Sequence, residues 1–169
     1  MFPLYLKNIE NQVVGHSMRK FKRKKGPVRS KKVTVDGIQF ASGLEAYMYK
    51  ALKKAKIKAG YEKRSFKIWQ GCWFPAKAYE RQANGKGDFK DRGNKNLLGI
   101  SYTPDFEGKD FIIECKGRPN ETFPLRWKMF KKYCRENLNS YTLYKPQRQS
   151  ECDVVVKLIK NKHKWQEEH

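Results

Sequence analysis

Tyr102-Thr-Pro-Asp-Phe106, then Glu107-Gly-Lys-Asp110, then Phe111-Ile-Ile-Glu-Cys-Lys-Gly117 is the stretch that decides how this chain is read. It reads as a hairpin: one strand ending near Phe106, a turn over 107–110, and a second strand over 111–116. Alternation puts Ile112, Glu114 and Lys116 on one face and Phe111, Ile113 and Cys115 on the other. If the turn pairs Phe106 with Phe111, Asp105 stands opposite Ile112. It then shares a face with Glu114, diagonally within roughly 7–8 Å. Two carboxylates and a lysine converge on one surface of an otherwise apolar hairpin. Carboxylates so placed can bracket Mg²⁺, a hard cation that takes oxygen ligands at about 2.0–2.1 Å and keeps several waters. The backbone carbonyl of Cys115 would add a ligand. Such a metal stabilises charge on a scissile phosphate, with Lys116 placed to orient or deprotonate water or to neutralise the phosphate. The plain alternative is a surface strand with a Glu/Lys ion pair worth about 0–1 kcal/mol. Spacing alone leaves both readings open.

Outward from the hairpin, Val33-Thr-Val35 and Ile38-Gln-Phe40 flank Asp36-Gly37, a strong short-range hairpin signal. Such a hairpin is marginal alone, so it needs a sheet or a partner chain to cover it. Ser42 opens a helix running to about residue 59, with Leu44, Met48, Ala51, Leu52 and Ala55 as its apolar stripe. Ser42-x-x-Glu45 is a capping box, which gives Glu45 a structural role by default. Residues 61–69 alternate as a strand, with Glu62 at its start. A helix follows over about 122–137, Pro124 suiting its first turn. Its buried face is expected from Leu125, Met129, Phe130 and Tyr133, with Trp127 on the basic flank. A short strand at 141–144 and a helix opened by Ser150-x-x-Asp153 complete the domain, although Val154, Val155 and Val156 favour strand.

Pro104-Asp105 with Glu114-Cys115-Lys116 matches the PD-(D/E)-x-K nuclease signature. Phe40-Ala-Ser-Gly-Leu-Glu45, Tyr61-Glu62, Tyr102–Phe106 and Glu114–Gly117 occur in the order seen in phage endodeoxyribonuclease I, a family of Holliday-junction resolvases. The chain resembles that family over about residues 38–145, except between 68 and 100. The resemblance implies an α/β, restriction-endonuclease-like core, a mixed sheet flanked by helices. It also implies Mg²⁺, with Mn²⁺ substituting, and a homodimer with two active sites cutting branched DNA in the cytoplasm of a bacterial host. It assigns catalysis to Glu45, Asp105, Glu114 and Lys116, and the metal to Asp105, Glu114, Glu45 and the Cys115 carbonyl. For Glu45 this displaces the capping role.

Charge points the same way. The 169 residues suit one domain, and 38 Lys plus Arg against 17 Asp plus Glu leave +21, an excess that calls for a polyanion. Residues 1–32 read as a basic arm. Arg19, Lys20, Lys22, Arg23, Lys24 and Lys25 are its candidate DNA contacts, against the alternative of a merely solvated charge run. Residues 33–169 read as the nuclease domain, with a basic, Gly-rich insertion near 70–99. There Lys86, Lys90 and Arg92 are assigned to phosphates, and Trp73, Phe74 and Tyr79 to local packing. The four cysteines show no C-x-x-C pair, which argues against zinc and disulfides. No apolar run approaches the roughly 20 residues of a membrane span, and the start is too short and wrongly flanked for a secretory signal. The alternatives are a restriction-like or nicking endonuclease on the same core, and a non-catalytic basic DNA-binding protein.

Overall fold

The computed structural model describes residues 30–168 apart from Asn139. The basic run from Arg19 to Lys25 lies outside the described residues. β1 (Val33–Val35) and β2 (Ile38–Phe40) pair in the register Val35↔Ile38, so the turn is Asp36-Gly37 alone. Both turn residues take positive φ, 51° and 76°, as a two-residue type I′ turn requires. The next element, α1 (Gly43–Lys54), receives this hairpin. Tyr49 Oη and Lys53 Nζ donate to the Asp36 carboxylate at 3.0 and 2.6 Å, and Val33, Val35 and Ile38 pack against the core. The hairpin therefore finds its cover within its own chain. α1 stops at Lys54, short of residue 59. Lys56 turns to φ 59° and the Ile57 N–H reaches back to Leu52 O at 3.0 Å, a Schellman-type closure.

β3 (Gly60–Tyr61) and β4 (Phe66–Trp69) replace the single strand expected over 61–69, because Glu62 takes a φ of 43° and breaks the extension. Residues 70–99 are not a plain loop. β5 (Cys72–Phe74), β6 (Tyr79–Glu80), β7 (Lys90–Asp91), β8 (Lys95–Leu97) and β9 (Ile100–Tyr102) fold back on one another. The antiparallel pairs β4–β9, β5–β8 and β6–β7 are nested one beyond the next. They make one long two-stranded ribbon. Glycine is obligatory where its strands crowd: a Cβ at Gly71 would sit 2.2 Å from Leu97 O, and one at Gly93 1.9 Å from Ala76 O.

β10 (Phe106–Glu107) and β11 (Phe111–Ile113) form the central hairpin, followed by α2 (Phe123–Asn137), β12 (Thr142–Tyr144) and α3 (Gln149–Glu168). The sheet order is β12-β11-β10-β3, with β11 and β12 parallel and the other pairs antiparallel. On one face Phe106, Phe111, Ile113 and Cys115 bury against Met48 and Leu52 of α1 and Cys152, Val155 and Ile159 of α3. On the other, Ile112 joins Phe66, Tyr102, Phe130 and Cys134. The architecture is thus mixed α/β, with helices on both faces of this small sheet. No described helix is long and apolar enough to cross a membrane.

The hairpin register differs from expectation. Phe106 pairs with Ile113, not Phe111. Glu107 stays in the strand because Arg64 binds its buried carboxylate through Nε at 3.0 Å and through the terminal guanidinium nitrogen at 2.6 Å. The turn tightens accordingly, closed by Gly108 N–H to Phe111 O at 3.0 Å. A Cβ at Gly108 would meet the Phe111 ring at 2.2 Å, so only glycine fits there. α2 is also rotated from its expected face: Leu125 is 64% exposed, while Trp127 packs inward. Phe123 is buried and lies nearly parallel to Trp127, centroids 6.1 Å apart. The inward row is therefore 123, 127, 130 and 134, a regular helical stripe. In α3 the same logic overrides valine's strand preference, since Cys152, Val155 and Ile159 recur at helical spacing on the core.

Candidate active site

Asp105 immediately precedes β10 and Glu114 immediately follows β11. Continuing the Phe106↔Ile113 register by one residue brings the two level. The ladder to the β12 side runs past Ile113: Glu114 N–H donates to Tyr144 O at 2.9 Å and Lys116 N–H to Pro146 O at 3.0 Å. That keeps the alternation intact, with Glu114 and Lys116 on the face of Asp105 and the Cys115 side chain turned into the core. The Cys115 backbone still serves the site, its N–H donating to Asp105 Oδ2 at 2.6 Å. Asp105 O in turn accepts the Glu62 N–H at 2.9 Å. It is the backbone of Glu62 that touches the site, its side chain being exposed.

The two carboxylates open into a cleft of about 220 Å³ lined by Tyr102, Asp105, Glu114, Lys116, Asn120 and Arg126, among others. Among the described residues, neither carboxylate has a cation within ion-pair distance. Burial, then the charge of Glu114, then that of Glu45 push Asp105 from 3.8 up to about 8, with the Cys115 N–H and Lys116 pulling weakly the other way. Burial also raises Glu114, against the pull of the Tyr102 hydroxyl, Lys116 and Arg126. Glu114 Oε2 and the Tyr102 hydroxyl are both buried without a hydrogen-bond partner. The hydroxyl faces the carboxylate closely enough that each shifts the other's pKa, at a geometry just short of a closed hydrogen bond. Lys116 is half-buried, its Nζ 5.1 Å from the centre of the Phe123 ring, near enough to bias both acids without pairing with either.

Glu45 is buried at the start of α1, and its oxygens are engaged. Oε2 accepts from Tyr61 Oη at 2.7 Å and Ala41 N–H at 3.0 Å, and Oε1 from Ser42 Oγ at 2.6 Å. Ser42 Oγ accepts the Glu45 N–H at 3.2 Å. This is a capping box, with the return bond made to Ala41 instead of Ser42. The Glu45 charge still reaches Asp105 and Glu114. Among the described residues, no three His, Cys, Asp or Glu side chains stand close enough together to hold a metal ion. The pair itself fits a hard divalent cation: it offers carboxylate oxygens, one of them buried and unpartnered, in a polar cleft where two acids are held together.

Of the other assigned residues, Lys86 and Lys90 are exposed on the ribbon. Arg92 is half-buried and knit into it, its Nε donating to Glu80 O at 3.1 Å. Residue-by-residue reading missed Arg126. Its guanidinium donates to Ser101 O at 2.5 Å and lies 5.9 Å from the Tyr102 ring centre, inside the cleft. The one available signal was its place in the first turn of the helix that follows Lys116.

A family model described as "Protein of unknown function (DUF1064)" matches residues 23–149, a span that takes in the whole cleft. No curated protein and no solved structure matches the chain.

Proposed function

The chain belongs to the DUF1064 family, and we propose that it is a divalent-metal-dependent DNA endonuclease that hydrolyses phosphodiester bonds in branched DNA. The observation that carries this reading is the unpaired acid pair. Asp105 and Glu114 are brought together at the open end of a buried hairpin, both raised in pKa, with one oxygen left without a partner. A protein with 38 basic side chains and a +21 charge does not lack cations to neutralise them. Asp105 and Glu114 would hold Mg²⁺ or Mn²⁺, with the Cys115 carbonyl as a further oxygen ligand. The ion supplies charge neutralisation at a scissile phosphate. Lys116, biased toward both acids, is placed to orient water or to meet a phosphate oxygen. Arg126, held by Ser101 O, presents a second fixed positive charge in the same cleft. Glu45 contributes through its charge and anchors the start of α1.

In this reading the sheet with helices on both faces is a restriction-endonuclease-like core, and the protein works on phage DNA in the host cytoplasm. One cleft per chain makes one cut, so symmetrical resolution of a four-way junction requires a homodimer. The deciding experiment incubates a synthetic four-way junction and a linear duplex of the same sequence with the protein, with and without Mg²⁺. Paired, metal-dependent nicks across the junction are expected, lost in Asp105→Asn. Cleavage of the linear duplex at equal rate would leave a restriction-like or nicking enzyme. Binding without any cleavage in Mg²⁺ or Mn²⁺ would leave a DNA-binding protein.

A further inference from the structure

The nested pairs β4–β9, β5–β8 and β6–β7 run from Trp69↔Ile100 out to Glu80↔Lys90. At a strand rise of about 3.3 Å per residue that is on the order of 30 Å, close to the roughly 34–36 Å of one turn of B-DNA. Its base is the cleft itself, since β9 ends at Tyr102 and Ser101 holds Arg126. Toward its tip it turns apolar groups outward: Trp73 is 58%, Tyr79 59% and Phe89 65% exposed, and the last two rings lie 6.3 Å apart. Across residues 66–102 there are seven basic and three acidic residues. Lys95 is paired with Glu80 at 3.0 Å, and Arg92 is spent on backbone carbonyls. Lys77, Lys86 and Lys90 are exposed and make no ion pair with any described residue.

We propose that this ribbon is a duplex-binding element that lies in the major groove beside the cleft, its free lysines on phosphates and its exposed rings against base edges and sugars. The proposal rests on the nuclease reading for the placement of the scissile phosphate, but not for the binding itself. Three physical arguments select this occupant. A two-stranded ribbon with its side chains fits a major groove about 12 Å wide and not a minor groove about 6 Å wide. The net positive charge complements DNA and opposes pairing of the ribbon with a second copy of itself. The exposed edges of a two-stranded ribbon are otherwise a liability for aggregation, and basic residues along them guard against it. The backbone crowding at Gly71 and Gly93 fixes the ribbon's shape, so its reach is built in.

The test uses the full chain and a labelled linear duplex without Mg²⁺. Dimethyl sulfate methylates guanine N7, a major-groove atom. The wild-type protein is expected to protect N7 over about one helical turn; full reactivity at N7 in the bound duplex overturns the proposal. Lys77→Gln/Lys86→Gln/Lys90→Gln is expected to reduce the slope of log K against log[salt] by about 2 to 3 and to weaken binding at least tenfold. Trp73→Ala/Tyr79→Ala/Phe89→Ala is expected to weaken binding about tenfold with the slope unchanged. Wild-type affinity and slope in both triples overturn the proposal. So does a shift from dimer to monomer with affinity per protomer intact, which makes the ribbon a subunit contact. N7 protection by a protein that never cleaves would sink the nuclease reading and leave the ribbon standing. Cleavage without protection would do the reverse.

Discussion

The hairpin of β10 and β11 carries acids at both ends, and the two ends handle them in opposite ways. At the turn, Asp110 is clasped by Lys162 Nζ at 2.5 Å and His163 Nε2 at 3.0 Å. Burial pushes its carboxyl up, but these two partners outweigh it and hold Asp110 below its usual value. Midway, Glu107 is buried against Arg64. At the open end, Asp105 and Glu114 are raised together, with no cation in ion-pair range among the described residues. Asp110 and Glu107 are each paired with a cation; Asp105 and Glu114 are not. Burying unpaired carboxylates costs several kcal/mol per group, which a sequence rich in lysine could have avoided. On the proposed function, acids held in that state are organised around the charge of a bound cation.

The largest expected effect breaks the open end. If the proposed function holds, Asp105→Asn or Glu114→Gln removes a metal ligand worth several kcal/mol of transition-state stabilisation, so cleavage of a four-way junction in Mg²⁺ should fall on the order of a thousandfold. Asp110→Asn, at the other end of the same hairpin, should leave the single-turnover rate within a few-fold. Wild-type rates in Asp105→Asn would remove Asp105 from the site.

Stability should respond with opposite signs. Arg64→Ala strands the Glu107 carboxylate in the core. Because Arg64 is itself partly exposed, the cost should be about 2–3 kcal/mol, below the range for a fully buried pair. Asp105→Asn removes the penalty that burial and the neighbouring Glu114 and Glu45 place on an ionisable carboxyl, and should raise the urea midpoint of the metal-free protein. A lower midpoint would mean that Asp105 is held by a favourable partner after all.

Titration sharpens the same contrast. Between about pH 4 and about 8 the folded protein keeps a proton on Asp105 that the unfolded chain has lost. Metal-free stability should therefore fall as pH rises through that window and level off above it. The contribution of Asp110 runs the other way, present above its unfolded pKa and lost as pH falls below about 4. Metal binding requires deprotonated acids, so the rise in Tm on adding Mg²⁺ should be small at pH 6 and several degrees at pH 8. An equal rise at both would mean the ion binds elsewhere.

Much of this site was legible because its logic is local. Asp36-Gly37 specified its own turn, and Ser42 its own cap. The observed register of the central hairpin lies two residues from the one the turn length suggests, yet Asp105 and Glu114 still share a face, because an even shift preserves side-chain parity. What stayed hidden depends on contacts distant in sequence. Gly71 and Gly93 look like loop residues until the strand across from them is known. The rotation of α2 follows from Phe123 meeting Trp127, and the use of Arg126 from a carbonyl at Ser101. The pairing of Glu107 with Arg64, which tightened the turn, joins side chains that no spacing rule connects.

The smallest expected effect on stability falls on Glu45, which stands between the two kinds of acid. It is buried and fully hydrogen-bonded like Glu107, yet its charge bears on Asp105 like a member of the open end. Glu45→Gln can keep every partner. Its remaining oxygen can accept from Tyr61 Oη and Ala41 N–H, while its new N–H₂ faces Ser42 Oγ, which is able to accept. The unfolding free energy from urea titration should therefore change by under about 1 kcal/mol, the scale of a retained cap. Cleavage should nevertheless fall about tenfold, because the substitution removes one negative charge from the field at the acid pair. The pH at which Asp105 titrates, followed by carboxyl NMR, should drop with it. If Glu45→Gln changes neither the rate nor that titration, Glu45 is a cap and nothing more, and the proposed chemistry is left to Asp105, Glu114 and Lys116 alone.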